Sequence, residues 1–113
     1  MYAYSNADPV YKYAYAYTDE VFIIVTDYTR YEYRTTFYTD KGWSYELDDA
    51  TIFETYDDAL YTFHKLIKGG KRVRDYFGDL TGREICVLKV IGNINTNKIE
   101  WGSSKTLLKS IQL

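Results

Sequence analysis

The chain offers few residues that could do bond-making chemistry. His64 is its only histidine and Cys86 its only cysteine, so a Ser-His, Cys-His or zinc arrangement would have to be built around one of each. His64 follows Phe63 on a helical apolar stripe and reads as a boundary residue of that helix. Cys86 lies within Ile-Cys-Val-Leu-Lys-Val-Ile and reads as a small buried hydrophobe. Asp48-Asp49 and Asp57-Asp58 are the carboxylate pairs that general acid-base work or a hard cation would use. Their spacing does not follow a calcium loop, and helix capping and solubility account for them without a reaction. Gly69-Gly70-Lys71 follows a helix where a phosphate loop would precede one, so the glycines read as a helix stop. No catalytic residue, metal ligand or cofactor is expected from this inventory.

Binding chemistry is better represented. Fourteen residues are tyrosine, and Tyr11, Tyr13, Tyr15 and Tyr17 alternate strictly. Period two places those four rings on one face of a strand, with Lys12, Ala14, Ala16 and Thr18 opposite. Tyrosine brings a large apolar ring with a polar tip at low entropic cost, which suits a contact surface. The small opposite face makes an outward tyrosine face the expectation, and such an edge also invites a homodimer. A second cluster, Lys71, Arg72, Arg74 and Tyr76 with Phe77, combines phosphate-binding charge with rings for base stacking. Tyr31, Tyr33 and Phe37 would add a stacking platform on a sheet. The pI of about 5.3 weighs against nucleic acid.

Charge is divided along the chain. Residues 1–58 hold four bases against twelve acids, a balance of −8, and residues 59–113 hold ten against four, a balance of +6. Glu46, Asp48, Asp49, Glu54, Asp57 and Asp58 run without a base, and Lys65, Lys68, Lys71, Arg72 and Arg74 follow without an acid. Either the two stretches are solvated ends of one helix that offset each other, or one meets a partner of opposite sign.

The elements that must hold these residues are legible. A length of 113 residues fits one domain, and a single cysteine leaves no intrachain disulfide, which suits a reducing, cytoplasmic setting. No apolar run is long enough for a membrane helix, and the first ten residues lack signal-peptide character. Residues 1–9 read as mobile. Val21 to Val25 is a continuous β-branched run, expected as a central strand buried on both faces. After a turn at Asp27–Arg30, Tyr31 to Thr39 alternates, Asp40-Lys41-Gly42 is a hairpin loop, and Trp43 to Leu47 returns, giving a meander. Thr55 caps a helix with Asp58 at the capping-box position, and Tyr56, Leu60, Phe63, Leu66 and Ile67 form its apolar stripe. Residues 71–83 read as a loop, Ile85 to Ile91 as a central strand and Ile99 to Trp101 as a short return strand. For residues 103–113 a short helix capped by Ser104 and a final edge strand both fit.

The segment Ala50-Thr51-Ile52-Phe53-Glu54-Thr55-Tyr56-Asp57-Asp58-Ala59, a strand end and then a Thr-capped helix, follows the meander. Over about residues 20–68 this resembles small accessory proteins of bacteriophages and other mobile elements, in which one helix packs a twisted antiparallel sheet. The resemblance implies a compact protein, in a host cytoplasm, that binds a host or phage macromolecule. Inhibitors of bacterial defence, anti-CRISPR proteins among them, are one such class. No functional residue carries over from it.

The sequence thus predicts an α+β domain over residues 1–113, an antiparallel sheet of about five to six strands packed by one main helix. Its expected function is non-enzymatic binding of a protein partner through Tyr11, Tyr13, Tyr15, Tyr17, Asp48, Asp49, Asp57 and Asp58. A single-stranded nucleic-acid binder using Lys71, Arg72, Arg74 and Tyr76 is the alternative, and a tyrosine-lined small-molecule pocket or enzyme the third.

Overall fold

The computed structural model describes residues 19–30, 34–69, 74–75, 78–79, 82–102 and 104–113. Residues 1–9, expected to be mobile, residues 11–17, expected as a tyrosine strand, and Tyr31, Tyr33, Lys71, Arg72 and Tyr76 lie outside them. The fold is α+β. Strands β1 (Asp19–Thr26), β2 (Phe37–Thr39), β3 (Gly42–Ser44), β6 (Glu84–Asn93), β7 (Lys98–Ile99) and β8 (Thr106–Gln112) form one antiparallel sheet. Helix α1 (Tyr56–Gly69) follows a 3-10 turn at Leu47–Asp49. A two-residue ladder joins β4 (Arg74–Asp75) to β5 (Gly78–Asp79), so the stretch 71–83 is not all loop.

The two apolar runs of the sequence form the sheet's centre. β1 pairs with β6 along its whole length, from Asp19 opposite Gly92 to Thr26 opposite Ile85. Val21, Ile23 and Val25 share one face with Cys86, Leu88 and Val90. Ile24, Ile85 and Val87 take the other. Both faces are covered, which is why these runs are continuous rather than alternating. On the second face lies α1, with Ala59 and Phe63 fully buried against Ile24, Ile85 and Val87. Burying a side chain the size of Phe63 contributes about 1.5–3 kcal/mol. The helix begins as its sequence demands: the Thr55 hydroxyl accepts the Asp58 N–H at 3.1 Å. On the first face, Leu47, Ala50, Ile52, Tyr28 and Trp101 close the core.

The meander holds only for the first three strands, because β6 docks beside β1 and the sheet order becomes β3-β2-β1-β6-β7. Of the expected strand Tyr31 to Thr39, the described residues 34–36 are not strand and Phe37–Thr39 is. Thr36 is held instead by Thr26, with the hydroxyls 2.7 Å apart and the Thr36 N–H donating to Thr26 Oγ1. Phe37, offered above as a stacking surface, is 6% exposed and belongs to the core, its ring edge-on to Trp101 at 5.3 Å. The return strand stops at Ser44 because the Ser44 hydroxyl turns the chain, accepting the Glu46 N–H and donating to Asp49. Residues 106–112 are a strand, so Ser104 caps no helix; β8 lies along β6 with a bulge opposite Val87 and Leu88.

β1 and β2 part after the Val25–Phe37 pair, and the chain between the 3-10 turn and α1 fills the gap. Thr51 N–H donates to the Tyr38 carbonyl, and Phe53 exchanges two backbone bonds with Phe22 at 2.8 and 2.9 Å. This wedge carries the chain from the first face of the sheet to the helix face.

Candidate binding site

The splayed hairpin and the wedge enclose a cleft of about 640 Å³. Thr39, Asp40, Lys41, Trp43 and Ser44 line it from the hairpin, Asp49 to Ile52 from the wedge, and Asn97 from the turn between β6 and β7. Each wall is fixed by polar contacts. Asp49 Oδ2 accepts the Ser44 hydroxyl at 2.8 Å, and Asp40 Oδ1 accepts the Thr51 hydroxyl at 3.3 Å. Asn97 Nδ2 donates to the Ala50 carbonyl at 3.3 Å, tying the turn to the wedge. Gly42, at φ +137°, supplies the backbone freedom that the two-residue loop of this hairpin needs. Burial and the nearby Asp40 carboxylate raise the pKa of Tyr38, the residue behind this corner.

Across the same turn lies a smaller cleft of about 250 Å³, lined by Asp19, Glu20, Val21, Glu54 and Ile94. The turn Ile94–Asn97 thus stands between two acidic hollows. Three lysines lie on this surface: Lys41 lines the larger cleft, Lys98 approaches Asp48 at 3.6 Å and Lys89 approaches Glu20 at 3.7 Å. Tyr45, 47% exposed, projects beside Glu46 at the end of β3.

The predicted acidic residues separate. Asp48 and Asp49 sit on the 3-10 turn beside the larger cleft, whereas Asp57 and Asp58 occupy the first turn of α1. The segments that carry the two pairs pack on opposite faces of the sheet, so they do not form one patch. Of the alternative basic cluster, the described backbone includes only Arg74, in β4. Among the described residues no tyrosine lines the larger cleft. Sequence reading missed Asp40, Asn97, Asp19 and Glu20, which chain topology gathers from three separate segments. It also missed Tyr45 and Tyr61; Tyr61 is 67% exposed on the outer face of α1 and lies under the Lys65 ammonium at 5.3 Å.

The candidate reactive groups do not meet. His64 is exposed on α1 with its ring against Phe63, while Cys86 faces the opposite side of the sheet. Burial, reinforced by Glu84, pushes the Cys86 thiol up to about 12. Among the described residues no group of three His, Cys, Asp or Glu side chains is placed to hold a metal ion, and no helix is long and apolar enough to cross a membrane.

A buried polar network occupies the far end of β1 and β6. Arg83 pairs with Asp27 and donates to Thr26 Oγ1 at 3.0 Å and to the Arg34 carbonyl at 3.1 Å. Asp27 Oδ1 accepts the Glu84 N–H at 3.0 Å, and Glu84 in turn accepts the Thr29 hydroxyl and N–H. Asp27 adopts φ +54°, a left-handed conformation that Asp tolerates better than most residues. The polar groups of this network bond one another, and with Asp27 and Arg83 buried at its centre it anchors the fold.

No family model, no curated protein and no solved structure matches this chain.

Proposed function

We propose that this chain is a non-enzymatic binding protein that engages a basic surface of a protein partner. The observation that supports it most is the pair of acidic clefts flanking the Ile94–Asn97 turn. Asp19, Glu20, Asp40, Asp48, Asp49 and Glu54 are all exposed around them, and Tyr45 and Glu46 extend the rim. Carboxylates on this scale steer a basic partner toward the face and suppress acidic ones. An exposed tyrosine at the rim supplies apolar contact area with a hydrogen-bonding tip, the kind of side chain that anchors interfaces. An inhibitor role, which the likeness to mobile-element accessory proteins implies, follows if the occupied surface is one the partner needs for its own work.

Affinity capture from a bacterial lysate tests this with two baits, the wild-type chain and a variant carrying Asp40→Asn, Asp48→Asn, Asp49→Asn and Tyr45→Ala. The reading expects a basic protein that the wild type retains, that rising salt releases, and that the variant fails to retain. Equal retention by both baits refutes it.

A further inference from the structure

We infer that the larger cleft is a receptor for an arginine side chain presented by the partner. This assignment rests on the binding role proposed above and names the group that would occupy its main hollow.

The cleft carries two carboxylates on two different walls, Asp40 on the hairpin loop and Asp49 on the wedge. Ser44 and Thr51, each through its hydroxyl, hold one oxygen of each carboxylate, so both heads are oriented before any ligand arrives. Among the described residues neither carboxylate has a cation within 4 Å. Lys98, the base brought to this side by β7, reaches Asp48 instead. Lys41 lines the same cleft without reaching either carboxylate within 4 Å, so two oriented anions against one lysine leave a net negative hollow that favours a cationic occupant over phosphates and carboxylates.

The shape and lining narrow the cation further. The space of about 640 Å³ is of the size that takes a long side chain with some of its flanking backbone. Trp43, Ala50 and Ile52 supply apolar lining for a methylene stem. The guanidinium presents five donors in a rigid plane and can address carboxylates on two walls at once, whereas an ammonium is a compact point charge that keeps its hydration. The Asn97 side chain is already committed to the Ala50 and Asp48 carbonyls, so the remaining recognition falls on Asp40 and Asp49. Both residues are solvent-exposed, which keeps them available to a ligand, and asparagine at either position keeps an acceptor for the hydroxyl that holds it.

The test titrates the full chain, followed by amide chemical shifts, with three capped tripeptides: acetyl-Gly-Arg-Gly-amide and its Lys and Gln counterparts. The arginine peptide should give saturable shifts confined to residues 39–44, 49–52 and 97, the lysine peptide should bind several-fold more weakly, and the glutamine peptide should not bind. Asp49→Asn and Asp40→Asn, which keep an acceptor for the holding hydroxyl, should each weaken the arginine peptide by about tenfold, the loss expected for a charge-assisted pair. Asp57→Asn, on the other face, should change nothing. Absence of saturable shifts, equal binding of the lysine peptide, or indifference to Asp49→Asn and Asp40→Asn overturns the assignment. Partner capture separates this from the broader role. Capture that survives Asp40→Asn with Asp49→Asn but is lost with Tyr45→Ala and Asp48→Asn ends the arginine assignment alone. Capture that survives both ends the binding face as well.

Discussion

Asp27→Asn isolates what the buried ion pair does for this fold. The two side chains are 2% and 5% exposed, so removing the negative charge strands a guanidinium in the interior. Breaking such a pair from one side costs about 3–5 kcal/mol. Asparagine keeps an oxygen for the Glu84 N–H and tolerates the φ of +54° at this position, so backbone strain does not enter the difference. The retained acceptor places the expected loss at the lower end, about 3 kcal/mol. For a chain of this length that corresponds to a fall in Tm of about 10 °C. Urea denaturation followed by tryptophan fluorescence reads it directly, because Trp43 and Trp101 both pack in the core and change environment on unfolding. Arg83→Met removes the stranded cation, so the double variant Asp27→Asn with Arg83→Met should lose at least about 1 kcal/mol less than the sum of the single losses. A loss below about 1 kcal/mol for Asp27→Asn, or strict additivity in the double variant, refutes the claim that the pair is buried and coupled.

Other consequences concern Cys86 and Gly92. Cys86 should resist a thiol reagent in the native chain at pH 8 and react fully in denaturant; rapid native reaction contradicts its burial. Its folded pKa of about 12 lies above that of the unfolded thiol, and Tyr38 is shifted in the same direction. The stability from these groups is therefore complete below about pH 9 and declines as pH rises from there toward 12. A Tm series should fall through this alkaline range, less steeply in Cys86→Ala; an identical slope removes the thiol from the explanation. A Cβ at Gly92 would meet the Lys98 carbonyl at 2.8 Å and Val21 at 3.0 Å. Gly92→Ala should thus cost about 1–3 kcal/mol by forcing β7 away from β6, and a neutral result in the same denaturation assay contradicts that packing.

The sequence made some of this legible and hid the rest for physical reasons. Val21–Val25 and Ile85–Ile91 read as central strands because a strand buried on both faces needs apolar residues at consecutive positions. Helix α1 read correctly at its start and along its apolar face because cap and stripe are both local signals. The alternation of Tyr31 to Thr39 did not reveal that Thr36 would be drawn inward by Thr26, ten residues away. Period two marks a face without saying whether that face is wet, so it left open whether Phe37 is a stacking surface or, as found, part of the core. Leu107, Leu108 and Ile111 fit helix and strand alike, and only pairing with β6 decides between them. The site was the least legible part. Asp49 was singled out for its charge, but Asp40, Asn97 and the hollow between them exist only because the hairpin parts from β1 and the wedge enters. Likewise Arg83 reaches Asp27 across 56 residues, a distance over which no periodicity speaks.

Amide hydrogen exchange of the chain with and without its captured partner tests the binding face most directly. The account predicts new protection over residues 40–52 and 94–97, with α1 and β8 unchanged. Protection confined to β8 or to the outer face of α1, with residues 40–52 exchanging as in the free chain, would contradict it.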